Sequence, residues 1–126
     1  MKSIMADVAA ARAAIPSITA EELEEIIEND DVLVVDVRDP NEIAATGKVA
    51  GALNVSRGML EFRADDQTPM HNEAFSRDKT IVLYCATGGR AALAGQALKD
   101  MGYDKIRLLG SIKAWLDAGG DIEDKA

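Results

Sequence analysis

One cysteine in 126 residues leaves no partner for an intrachain disulfide and too few thiolates for a cysteine-rich metal site. Nothing in the chain therefore implies an oxidising compartment, and a reducing, cytoplasmic setting is expected. The single histidine, His71, falls in a polar stretch that reads as a loop and is not assigned as a base. No run is apolar for long enough to span a bilayer. Asp7 and Arg12 interrupt the alanine-rich start between Met1 and Ile15, so a secretory leader is not expected either. Positive charge is also scarce: 14 Lys and Arg are scattered among 22 Asp and Glu, for a net charge of -8. That balance excludes the concentrated basic footprint of a nucleic-acid site. It leaves room for a small anionic substrate, because a pocket of backbone amides and one arginine can outweigh a remote, screened negative surface. Internal repeats, heptads and low-complexity tracts are absent.

The length suits one domain with a proper core. Helix formers from Met5 to Ala14 predict a helix ending before Pro16, an N-terminal extension over residues 1–16 that precedes a domain over 17–126. An exposed face of Met5, Val8 and Ala9 on it would serve docking or dimerisation. Ser17 and Ile18 suggest a short strand, and Thr19 with Glu22 forms a capping-box pattern opening a helix to about Glu28. Val32 to Val37 is an unbroken aliphatic run, the pattern of a parallel strand covered on both faces. Asp39, Pro40 and Glu42 mark another helix start, with a stop near Gly47. Ala52–Val55 reads as a short strand, Gly58–Arg63 as a turn of helix and Ala64–Asn72 as surface loop. Thr80–Cys85 is a second buried strand, followed by a glycine turn and a helix from Arg90 to about Met101. Lys105–Leu109 supplies a last strand, and Ser111 caps a final helix anchored by Trp115 and stopped at Gly119 and Gly120. Strands alternating with helices imply a parallel sheet with ligands beyond the carboxyl ends of its strands, which is where Cys85 falls.

A lone cysteine ending an apolar strand is more often a small core residue than a nucleophile. Gly88 and Gly89 alone would be an ordinary turn, and Arg90 alone a solvated helix residue. Their combination points elsewhere. Ala86, Thr87, Gly88 and Gly89 let successive amides curl around the sulfur, and a helix starting directly afterwards adds its positive end to the same spot. A cysteine so placed gains thiolate character. Arg90, five positions on, is placed to close the rim and to bind an oxyanion with its fork. Asp36 and Arg38 at the end of the first strand suit an internal ion pair or cap contact better than a catalytic role. Arg57 and Arg63 are read as solvated charge, with guidance of an anionic donor as the alternative.

Cys85-Ala86-Thr87-Gly88-Gly89-Arg90-Ala91 resembles the active loop of the rhodanese domains. Val34 to Glu42 is similar to the first signature of that family, and Gly47 to Val55 to its continuation, with Lys48 where many members have histidine. Leu109 to Trp115 resembles the closing signature, with Ser111 and Ile112 in place of the usual glycine and aromatic. The likeness runs from about Ser17 to Ile122. It implies an α/β fold with a five-stranded parallel sheet flanked by helices on both faces, and a sulfurtransferase needing no metal or cofactor. In that activity the Cys85 thiolate takes a sulfur from thiosulfate or a persulfide donor. It then passes the sulfur to cyanide or a thiol, for which a thioredoxin-like protein is one candidate. Cys85 would be catalytic, and Ala86, Thr87, Gly88, Gly89 and Arg90 would hold the anion.

Tyrosine phosphatases and arsenate reductases share the cysteine-loop-arginine plan, but their loop is one residue longer and the phosphatase signature has histidine where Tyr84 stands. The remaining alternative is a rhodanese-like module that binds partners or senses sulfur with little turnover. A thiol peroxidase would lack a resolving cysteine.

Overall fold

The computed structural model describes residues 1–126. Helix α1 (Ile4–Ala14) starts at Ser3, whose hydroxyl accepts the Ala6 N–H at 3.3 Å. Thr19 and Glu22 form the reciprocal capping box of α2 (Ala20–Ile26). Strand β1 (Val32–Asp36) leads into α3 (Pro40–Thr46), where proline occupies the first turn and Glu42 accepts the Asp39 N–H at 3.1 Å. After β2 (Lys48–Val49) and β3 (Leu53–Asn54), a 3-10 turn over Arg57–Met59 runs into α4 (Leu60–Ala64). Then follow β4 (Thr80–Cys85), α5 (Gly89–Asp100), β5 (Ile106–Ser111), α6 (Ile112–Asp117) and β6 (Ile122–Glu123).

The main sheet is parallel, in the order β3-β1-β4-β5. Its central strands alternate between two cores. Leu33, Val35, Ile81, Leu83 and Cys85 face the core that includes residues of α1, α4 and α5. Val34, Val82 and Tyr84 face the other, against Leu23 of α2 and Trp115 of α6. This double covering is why β1 and β4 carry almost no polar residue until their last positions. Asp36 lies opposite Tyr84, and Cys85 opposite Ser111, so the polar groups collect at the carboxyl edge of the sheet.

Two expectations are corrected. Five strands are implied, and the sheet has four: Ser17 makes one parallel bridge to Leu108, with hydrogen bonds from Ile18 N–H to Leu108 O and from Leu108 N–H to Pro16 O. The bridge cannot lengthen, because Pro16 has no N–H to donate and Thr19 is already the cap of α2. Nor is α1 presented on its Val8 face. Val8, Ala11 and Ile15 are buried in the main core, and Ile15 sits so close over Gly95 of α5 that a Cβ there would lie 2.6 Å from its methyl. Met5 and Ala9 are exposed, as expected. The pairing of β2 with β6, antiparallel, has no counterpart in the sequence reading. It is joined by Lys48, buried and 3.6 Å from Glu123.

Candidate active site

Cys85 ends β4 with 1% of its surface exposed. The chain then turns through Ala86 and Thr87 to Gly88, whose φ of +103° marks the left-handed region in which glycine is at ease. Gly88 caps α5, and two amides at that end converge on the sulfur: Gly88 N–H donates to Cys85 Sγ at 3.0 Å and Ala91 N–H at 3.4 Å. Both donors and the helix end stabilise negative charge at Sγ. The amides of Ala86, Thr87, Gly89 and Arg90 belong to the same loop without bonding to the sulfur.

Arg90 projects from the first turn of α5 toward α3 and takes Glu42 in a two-toothed pair, with Nη1 to Oε1 at 2.6 Å and Nη2 to Oε2 at 2.9 Å. Sequence reasoning assigns Glu42 only to the cap of α3. The structure gives it both tasks, 48 residues from its partner. Of the five guanidinium N–H groups, two are engaged by Glu42 and three stay available to a ligand. The pair raises the pKa of Arg90, while the hydrogen bonds from Arg90 hold the Glu42 carboxyl at about 2 against an ordinary 4.5. Because the folded value is the lower one, the stabilisation is complete above about pH 4.5 and is lost as the pH falls toward 2. Glu42→Gln is therefore expected to cost about 0.5–1 kcal/mol at pH 7, a modest figure because both side chains are partly solvated. Urea melts at pH 7 and near pH 2 check this: the two proteins should differ at the first and converge at the second.

Beneath the loop, Asp36 and Arg38 form the expected ion pair at 2.8 Å, with both side chains almost wholly out of solvent. Arg38 also donates to Thr46 Oγ1 at 2.7 Å and to the Gly47 carbonyl at 2.8 Å, tying the end of β1 to the C-terminal end of α3. Burial acts to lower the Arg38 pKa, and the Asp36 carboxylate outweighs it, so the net shift is upward. Tyr84, behind Cys85 on the opposite face, accepts the Val49 N–H at 2.9 Å; burial, followed by the nearby Asp36 carboxylate, pushes its ionisation far above the usual range.

Of the remaining basic residues, Arg57 pairs with Glu61 at 2.6 Å and Arg63 is exposed on α4. His71 stays in the loop following α4. No three His, Cys, Asp or Glu side chains converge to hold a metal ion. One residue at the loop was missed entirely: Arg12 of α1, whose Nη2 donates to the Thr87 carbonyl at 3.3 Å across 75 residues of sequence. No sequence signal marks it, since its neighbours are helix formers of an ordinary amphipathic helix.

A family model described as the Rhodanese-like domain matches residues 19–118. A sulfurtransferase of Allochromatium vinosum is 32% identical over 95 residues, which are 75% of this chain and 80% of the relative. A thiosulfate:glutathione sulfurtransferase of Saccharomyces cerevisiae is 30% identical, covering 87% of this chain and 84% of its own. Among solved structures, a Rhodopseudomonas palustris protein of unknown function, described as a possible tyrosine phosphatase, superposes with a TM-score of 0.88 at 40% identity over 98% of this chain and 96% of its own. No helix is long and apolar enough to cross a membrane.

Proposed function

The chain belongs to the rhodanese-like domain family, and from that membership we propose that it is a sulfurtransferase in which Cys85 carries the sulfur as a persulfide. The observation that carries the reading is the seat of Cys85 Sγ, buried under a small-residue loop with the amides of Gly88 and Ala91 aimed at it. A buried anion requires such preorganised donors, and they are in place before any substrate arrives. In the first step the Cys85 thiolate attacks the outer sulfur of thiosulfate or of a persulfide. The donor S–S bond breaks, its electron pair leaves with sulfite or the donor thiolate, and Cys85 is left as the persulfide anion. In the second step cyanide or an acceptor thiolate attacks the outer sulfur and the thiolate returns, with no net oxidation. The loop amides from Ala86 to Arg90 surround the added sulfur, and the free N–H groups of Arg90 meet the oxyanion end of the donor. A small thiol fits the acceptor role, and a thioredoxin-like protein is the macromolecular form of the same chemistry.

Loop length separates this reading from a phosphatase. Four residues, Ala86 to Gly89, lie between Cys85 and Arg90, one fewer than the phosphatase loop, and the smaller ring suits a sulfur atom better than a tetrahedral oxyanion. Intact mass of the protein after incubation with thiosulfate tests the proposal directly. The expected result is a gain of about 32 Da, one sulfur atom, removed by cyanide with release of thiocyanate. Absence of the adduct with thiosulfate, polysulfide and organic persulfides alike would overturn it in favour of a binding or sulfur-sensing module.

A further inference from the structure

The peptide group joining Thr87 to Gly88 is held at both ends. Its N–H donates to Cys85 Sγ at 3.0 Å, and its carbonyl accepts from Arg12 Nη2 at 3.3 Å. All peptide bonds here are trans, so the N–H and C=O of one group point in opposite directions. A guanidinium fixed on the carbonyl side therefore determines which way the N–H faces. It also polarises the amide, because a hydrogen bond to a cation at oxygen strengthens the N–H as a donor. The guanidinium lies close against the turn: a Cβ on Gly88 would come within 2.7 Å of Arg12 Nη2. Its helix is anchored by Val8, Ala11 and Ile15 in the main core. The charge of Arg12 is moreover free of any carboxylate, whereas Arg90 is neutralised by Glu42.

Resting on the reading of Cys85 as the reacting sulfur, we propose that Arg12 is a positioning residue of the active loop, holding the Thr87–Gly88 peptide so that its N–H faces and stabilises the anionic sulfur. Helix α1 lies outside the residues matched by the family model, 19–118, yet completes the anion-binding loop within them. The role of Arg12 is indirect. Its guanidinium meets the far side of the peptide, and the sulfur feels it through the amide and through its charge.

The test is the pH midpoint of Cys85 alkylation by iodoacetamide, a neutral reagent whose approach does not depend on charge. Arg12→Ala should raise the midpoint by about 0.5–1 pH unit, the size of one lost charge-assisted contact at a partly solvated site. Arg12→Lys, which keeps the charge, should recover much of the shift. Arg12 is exposed, so all these variants should melt close to the wild type. Lys2→Ala, removing another cation of the same N-terminal region, should leave the midpoint unchanged. An unmoved midpoint in Arg12→Ala, or an equal shift in Lys2→Ala, would overturn the proposal. Both readings are available without turnover, so they are independent of whether thiosulfate leaves a sulfur on the wild-type protein.

Discussion

Cys85→Ser should reduce sulfur transfer by at least about a thousandfold while leaving the fold in place. The serine hydroxyl fits the space of the thiol, and the amides of Gly88 and Ala91 that met Sγ can donate to oxygen instead. What is lost is nucleophilicity. A hydroxyl stays protonated at neutral pH unless a base takes its proton, and the loop from Ala86 to Arg90 contains neither histidine nor carboxylate. The carboxylate nearest in the network, Glu42, is committed to Arg90 and to the Asp39 amide. Thiocyanate release in the presence of cyanide measures the activity, and a thermal melt within a few degrees of wild type shows that the domain survives. Transfer at the wild-type rate would remove Cys85 from the mechanism.

The second large effect is on stability. Arg38→Met should destabilise the domain by about 3–5 kcal/mol, because it leaves the Asp36 carboxylate buried without its counterion. The loss is compounded by the contacts Arg38 makes to Thr46 and Gly47, which fasten the α3 turn to β1. For a domain of this size the melting temperature should fall by about 10–20 °C. The double variant Asp36→Leu with Arg38→Met should be milder than the single change, since removing both charges removes the desolvation penalty as well. A single variant as stable as the wild type would show that water reaches Asp36, and that the pair does not hold the edge of the sheet.

Much of the molecule is legible without coordinates. The starts of α2 and α3 follow from Thr19 with Glu22 and from Asp39, Pro40 and Glu42, each a local hydrogen-bonding pattern complete within four residues. β1 and β4 follow from aliphatic runs that only a doubly covered strand tolerates, and the Asp36–Arg38 pair follows from two charges closing such a run. The strand-loop-helix seat of Cys85 is legible for the same reason: its glycines, its amides and its sulfur lie within seven consecutive residues, Cys85 to Ala91.

Whatever depends on distant segments meeting was settled only by tertiary packing. Sequence order says that Ser17 and Ile18 can extend, and the docking of that segment beside Leu108 decides that it makes a single bridge. Local pattern offers Arg90 to a substrate, and the approach of α3 to α5 gives two of its N–H groups to Glu42. Composition makes α1 an ordinary helix, and its burial over Gly95 carries Arg12 to the Thr87 carbonyl. The amino-acid sequence by itself thus determined the seat of the Cys85 sulfur and the ring of loop amides beside it, because short-range backbone geometry builds both. The tertiary structure decided the charges around that ring, because a long side chain reaches as far as its helix is placed, and packing across the whole chain sets that placement.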